Sequence, residues 1–145
     1  MDLARFIAAL LPRWRSSRTE EAPHLALGRA GEQLAARHLR HQSYKILYRN
    51  FRGVRGGEID LVCRHGEALV FVEVKTRSSE DFGRPLAAVN RKQQRRIVRG
   101  AMAWLRMLDL PDLTFRFDVV EVLVTTPPKI TVVENAFNLP AGYYY

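Results

Sequence analysis

The chain is short of cysteine, lysine and acids, and each shortage excludes something. A single cysteine, Cys63, permits neither an intramolecular disulfide nor a multi-cysteine zinc site, so a reducing cytoplasm is the expected location. The histidines His24, His38, His41 and His65 show no metal-ligand spacing beyond His38 and His41, three apart. No apolar run approaches the roughly 20 residues that a membrane helix needs, so no membrane partner is expected. The segment Phe6 to Leu11 is apolar but follows Asp2 and precedes Pro12-Arg-Trp-Arg, with no small-residue cleavage site. It reads as a short amphipathic helix and not as a signal peptide.

What is present is positive charge. Lys and Arg number 23 against 15 Asp and Glu, a formal charge of +8 on 145 residues. Only Lys45, Lys75, Lys92 and Lys129 are lysines, which leaves 23 − 4 = 19 arginines. A GC-rich genome accounts for much of the Arg preference but not for the net charge, which points to a polyanionic partner. The chain is 47% hydrophobic and 26% charged, a globular composition, and its length argues for one domain.

Periodicity gives the order αβββαββ, a mixed β-sheet flanked by helices in an α/β domain. Residues 1–23 read as an N-terminal helix and Pro-bounded linker, 24–134 as the domain, and 135–145 as a tail without period. A helix is expected over about Leu25 to Gln42, with Gly28 and Gly31 marking close approach of another backbone. Tyr44 to Arg52 alternates as a strand, with Tyr44, Ile46 and Tyr48 on one side. Glu58 to Cys63 and Ala68 to Lys75 form a hairpin through Arg64-His-Gly-Glu67. A second helix, about Asn90 to Leu108, buries Ile97, Ala101, Trp104, Leu105 and Leu108. Strands follow at Phe115 to Val124 and Lys129 to Val133.

Chemistry concentrates on the hairpin. Glu73 and Lys75 lie two apart at the end of a nearly all-apolar strand, hence on one face. If cross-strand partners sum to 131, Asp60 stands opposite Phe71, on that same face and diagonal to Glu73. Two carboxylates and an ammonium gathered there are costly unless they pair with one another or bind a cation. Carboxylates suit Mg²⁺, and a neighbouring Lys suits the activation of water, so phosphodiester hydrolysis is one reading. A buried salt-bridge network is the other. Glu58 reads as the outer neighbour of such a site or as a rim charge, and Asp118 as a sheet-edge acid paired with an Arg.

Gly57-Glu-Ile-Asp60, twelve residues, then Glu73-Val-Lys75 resembles the core motif of the PD-(D/E)xK nuclease superfamily. With Gly28-Arg-Ala-Gly-Glu32 before it and Arg116-Phe-Asp118-Val behind, the stretch from about 25 to 133 resembles the YraN family of bacterial proteins. The helix acid Glu32 is similar to that of archaeal Holliday junction resolvases. The resemblance implies a restriction-endonuclease-like fold, with Mg²⁺ or Mn²⁺ held by Asp60, Glu73 and the Val74 carbonyl. It implies Lys75 as the catalytic lysine, Glu32 as a helix-borne acid of the site, and Gln93 as a polar residue opening the next helix. The resemblance transfers a site and not a substrate; analogy with those resolvases alone suggests branched or structured DNA and a homodimer. From spacing alone, the favoured reading of Glu32 is a solvent-facing helix acid paired with Arg29 or Arg37, or a capping acid near the helix N-terminus.

Nucleic acid has two basic clusters to meet. Arg91, Lys92, Arg95, Arg96 and Arg99 line one side of the second helix, with no acid between Gly83 and Leu108. Arg49, Arg52 and Arg55 enter the hairpin. Such phosphate contacts give affinity without base readout, and they do not separate DNA from RNA. A nucleic-acid-binding module that keeps this fold without cleaving is the alternative to a nuclease.

Overall fold

The computed structural model describes residues 23–78, 89–109 and 112–142. The expected N-terminal helix and linker and the last three residues of the tail, Tyr143-Tyr144-Tyr145, lie outside them. Among the described residues the elements follow in the expected order: α1 (Pro23–His41), β1 (Tyr44–Arg52), β2 (Glu58–His65), β3 (Ala68–Arg77), α2 (Arg91–Leu108), β4 (Phe115–Leu123) and β5 (Lys129–Phe137).

The five strands form one sheet in sequence order, β1-β2-β3-β4-β5. Only β3 and β4 run parallel, because α2 carries the chain from one end of the sheet back to the other. The remaining neighbours are antiparallel. A parallel pair at mid-sheet is covered on both faces, which explains the unbroken apolar runs Leu69 to Val72 and Val119 to Val120. On one face Phe71, Phe117 and Val119 pack under Ile97, Ala101, Trp104 and Leu105 of α2. On the other, Leu61, Val70, Val72, Val120 and Val122 pack against Ala35, Ala36 and Leu39 of α1. Each large side chain so buried is worth about 1.5–3 kcal/mol.

Both helices approach the sheet through glycine. A methyl at Gly31 would overlap the Thr76 hydroxyl of β3, so α1 sits directly on that strand. A methyl at Gly28 would meet nothing within 4 Å, so the close approach expected there is absent. Helix α2 begins with a capping box. The Gln93 amide donates to Asn90 Oδ1 (2.9 Å), and the Asn90 amide donates to Gln93 Oε1 (3.1 Å). It ends on Asp109 in the left-handed region at φ 47°.

Three local readings need correction. The hairpin turn is tighter than assumed: His65 pairs with Ala68, leaving a two-residue turn in which Gly66 supplies φ 60°. Partners therefore sum to 133, as in Val62 with Phe71, and the slip by two residues preserves which face each side chain takes. In β1 the register shifts between Ile46 and Tyr48, so Tyr44 and Ile46 face α1 while Leu47 and Tyr48 face α2. Strand β5 runs on to Phe137, whose ring stacks on Phe117 at 4.7 Å. Its polar Glu134-Asn135 had read as the end of the strand. They form a bulge instead, with Asn135 at φ 50° and its amide donating to Asp118 Oδ1 (2.9 Å).

Asp118 is fully buried and pairs with an Arg, as expected. Arg116 Nε donates to Asp118 Oδ1 (2.9 Å), Arg116 Nη2 to Oδ2 (3.1 Å), and the Tyr44 hydroxyl to Oδ2 (2.9 Å). Arg116 Nη2 also lies 2.8 Å from His65 Nδ1, and the His65 ring stacks on Tyr44 with centroids 4.0 Å apart. A guanidinium cannot accept, so His65 carries its proton on Nε2. One carboxylate thus ties β1, β2, β4 and β5 together. Burial and the nearby Asp118 charge push the Cys63 thiol on the α1 side up to about 12. Replacing Asp118 with Ala strands the Arg116 charge and the Asn135 amide. A loss of about 3–5 kcal/mol in folding free energy is expected, measured by urea unfolding of both chains.

Candidate active site

The residues singled out on the hairpin come together where β2 and β3 part. Backbone pairing between these strands runs from His65 with Ala68 to Leu61 with Val72. At the next position a side chain replaces the ladder: the Val74 amide donates to Asp60 Oδ2 at 2.8 Å. Ile59 packs on the α2 side and Leu61 on the α1 side, so the alternation of β2 breaks at Asp60. The Asp60 carboxylate therefore projects along the sheet toward β3.

Glu73 is 5% exposed, beneath α2. Its Oε1 lies 3.6 Å from Lys75 Nζ and 3.3 Å from Arg96 Nη2. Asp60, anchored on the Val74 amide, is its acidic neighbour. Desolvation, then the Asp60 charge, pushes Glu73 up to about 8, against the pull of Lys75 and Arg96. Burial raises Asp60 as well, while the Val74 amide and Glu73 work the other way. Desolvation and the mutual charge of the two acids thus favour a proton on Glu73 at neutral pH. Two acids lie next to two cations.

Glu32 reaches the same place from α1. Burial, then the Asp60 charge, raises its carboxyl, while a hydrogen bond from Asn50 and the charges of Arg49 and Arg29 lower it. Asn50 stands at φ 53°, a conformation that Asn tolerates better than most residues.

The sheet also delivers a residue that the sequence reading passed over. Glu121 of β4 is the register partner of Lys75 and is 6% exposed. Its Oε2 lies 3.7 Å from Arg77 Nε and has no hydrogen-bond partner among the described residues. An acid set in Val119-Val-Glu-Val122 was its only signal, and the parallel register that brings it to Lys75 is invisible in sequence. Among the described residues no three His, Cys, Asp or Glu side chains converge as a metal-holding group. Asp60 and Glu73 form a pair, with Glu32 adjoining through Asp60.

The other candidate positions fall into two groups. Arg91, Lys92, Arg95 and Arg99 are exposed on α2, as the stripe required. Arg96 on that stripe instead grips Glu73, and the Gln93 side chain closes the helix cap. Arg52 pairs loosely with Glu58 (3.5 Å) at the rim, both side chains being largely exposed, and such a pair contributes little. Arg55 is exposed in the loop between β1 and β2.

The raised carboxyl has a sign that can be measured. The folded chain holds the Glu73 proton more tightly than the unfolded chain, whose carboxyl titrates near 4.5. This group therefore costs nothing below about pH 4.5, and its cost grows as pH rises toward about 8. Glu73→Gln removes that cost. In metal-free buffer it should unfold at higher urea than the parent at pH 8, by about 1–3 kcal/mol, with the gain gone near pH 4.5.

Comparison with known proteins supplies the family. The model of the uncharacterised protein family UPF0102 matches residues 31–122, which take in Glu32, Asp60, Glu73, Lys75, the arginine stripe of α2 and Glu121. The UPF0102 protein of Geobacter sulfurreducens is 47% identical over 115 residues, covering 78% of this chain and 89% of its own length. That of Solibacter usitatus is 46% identical over 111 residues, 76% of this chain and 84% of the relative. That of Chlorobaculum tepidum is 50% identical over 97 residues, 67% and 74% respectively. The match spans the site, the second half of α1, all of α2 and the strands from β1 into β4, and the chain belongs to the UPF0102 (YraN) family.

Proposed function

We propose that this chain is a metal-dependent nuclease that hydrolyses phosphodiester bonds in DNA within the bacterial cytoplasm. The observation that carries the reading is a buried Glu73 carboxyl set beside the half-buried, amide-anchored Asp60 carboxylate and Lys75, with Glu73 pushed up to about 8. Side chains kept in so costly a state are suited to exchange the proton for a cation. The donor set fits Mg²⁺ or Mn²⁺, since Mg²⁺ commonly takes one or two carboxylates and fills its other positions with water and phosphate. Asp60 and Glu73 would hold the ion, with the Val74 carbonyl a further candidate, and Glu32 would adjoin through Asp60. Once bound, such an ion polarises the phosphate and acidifies water.

The chain's own residues supply the rest. The Val74 amide fixes the Asp60 carboxylate in place (2.8 Å), so its position does not depend on the ligand. Lys75, 21% exposed at its side chain, is anchored on Glu73 and open to solvent on its other side. From there its ammonium can orient the attacking water and offset the charge that develops on the phosphate. Arg96, 43% exposed at its side chain, can turn a guanidinium toward a phosphate while keeping its hold on Glu73. The exposed Arg91, Lys92, Arg95 and Arg99 extend that charge along α2 and track the backbone of the substrate. DNA is favoured over RNA only by resemblance, as is branched or structured DNA over plain duplex.

One observation favours a second reading, a nucleic-acid-binding module that does not cleave. Glu73 Oε1 is already held by both Lys75 and Arg96, which is how a structural ion-pair cluster would look. Cleavage assays on duplex, single-stranded, flap and four-way-junction DNA decide between the two, with Mg²⁺ or Mn²⁺ present. The nuclease reading expects metal-dependent cutting that Glu73→Ala and Lys75→Ala each reduce at least 100-fold. Salt-sensitive binding with no cutting by the parent chain would establish the module instead. A readout that needs no activity accompanies the assay. At pH 8, millimolar Mg²⁺ should raise the melting temperature of the parent chain by several degrees, and that of Glu73→Gln far less.

A further inference from the structure

The loop between β1 and β2 is built rigidly around an apolar residue that packs into neither core among the described residues. Val54 is 104% exposed, while the residues at either end of its loop are fixed. The Gly56 amide donates to the Gly53 carbonyl at 3.1 Å, which makes 53–56 a β-turn with Val54 and Arg55 at its two corners. The Gly53 amide donates to the Gly57 carbonyl, also at 3.1 Å, closing the loop on itself. Gly57, at φ 88°, lies so close to the backbone of Gly100 that a methyl there would strike it. Gly53 rests over the Ala103 methyl, and the Arg99 side chain lies across Gly56. The turn is thus seated on α2 by backbone contact and cannot fold Val54 inward.

Turn corners ordinarily take Pro, Asp, Asn, Ser or Gly, each for a conformational reason that valine does not share. A lone exposed valine on a slack loop would need no explanation. This one stands on a fixed platform with Arg55 beside it in the turn, Arg52 at the end of β1 and Arg99 beneath, all exposed and all positive. An apolar tip ringed by arginines complements a surface that is apolar within and anionic outside. A stack of bases flanked by phosphates has that character, whereas an apolar protein patch would leave the arginines unmatched.

We infer that Val54 is a wedge that enters between two stacked bases of a bound nucleic acid while Arg55 and Arg99 hold the flanking phosphates. Helix α2 sets the distance from wedge to candidate site. Arg96 grips Glu73, and Arg99 and Gly100 meet the loop three and four residues on, a rise of about 4.5–6 Å along the helix. The opened step therefore lies beside the phosphate that reaches Glu73. The wedge also selects the substrate. Steps that unstack easily, TA and CA/TG or a mismatch, are favoured over stiff A-tracts, although no base edge is read. This rests on the nucleic-acid reading of the site and adds the step at which the strand is engaged.

The test is fluorescence of 2-aminopurine placed at a central TA step, read on the full chain in EDTA so that no cutting intervenes. Binding should raise the emission several-fold, and less on an A-tract duplex of equal length. Val54→Ala should remove more than half of that rise while leaving the salt slope of affinity unchanged, and Val54→Phe should restore it. Arg99→Ala should weaken binding on every sequence alike and reduce the salt slope by about one. If DNA binds but emission is flat, or rises equally with Val54→Ala, the wedge is overturned and the nuclease reading stands. If no salt-sensitive binding occurs, both fall. If Val54→Ala changes only the sedimentation of the chain, the loop is a contact between copies and the wedge is overturned.

Discussion

The hydrogen bond from the Val74 amide to the Asp60 carboxylate is the constraint on which the site depends. A sheet satisfies its backbone groups strand to strand, and where two strands part, the freed amides need another acceptor. Here the acceptor is a side chain, at 2.8 Å, so the end of β2–β3 pairing and the placing of a carboxylate are one event. Everything else in the site is measured from that point. Glu73 meets Asp60 because it immediately precedes Val74, and Lys75 follows because the alternation of β3 returns it to the Glu73 face. Glu32 arrives because Gly31, with no side chain, lets α1 settle onto Thr76, one residue beyond Lys75.

The sheet uses charge in two opposite ways, one register position apart on neighbouring strands. Around Asp118, every oxygen of a fully buried carboxylate meets a donor, and the result is a closed network joining strands distant in sequence. Around Glu73, burial and the Asp60 charge push the carboxyl up, and Glu121 retains an oxygen without a donor among the described residues. The first arrangement is what stability asks of buried charge. The second is strained by the same standard, and departures of that kind gather where a chain does chemistry. The fold thus carries, within one sheet, a satisfied network that secures it and an unsatisfied one that gives it something to exchange.

Much of this was legible in the sequence, and for identifiable reasons. The Glu73-Val-Lys75 end of an apolar strand and the buried stripe of α2 are period effects, which survive small errors of register. The slip in the β2–β3 pairing kept the faces of Val62 and Phe71, whereas Asp60, beyond the last pair, turns along the sheet to the Val74 amide. Period reasoning failed where the backbone leaves its regular conformation: at the β1 bulge, at Asn50 and at the Asn135 bulge, each a local event that polar residues only hint at. The electrostatic role of Arg96 was hidden in another way. On a helical wheel it belongs to the exposed stripe, and only the packing of α2 over β3 turns it inward to Glu73. Glu121 required the β3–β4 register, which is set by a crossover and leaves no mark in either strand alone.

The lone cysteine acquires a use from where it sits. Cys63 is fully buried in the second strand of the sheet, under α1, with its thiol held protonated at physiological pH. A thiol in that condition is a poor nucleophile, and no oxidant or alkylating agent of ordinary size can reach it while α1 covers the sheet. Its modification must therefore await the lifting of that helix or the opening of the strands around it. The rate at which the chain takes up a thiol reagent is then a native clock for that opening, readable without adding a single label.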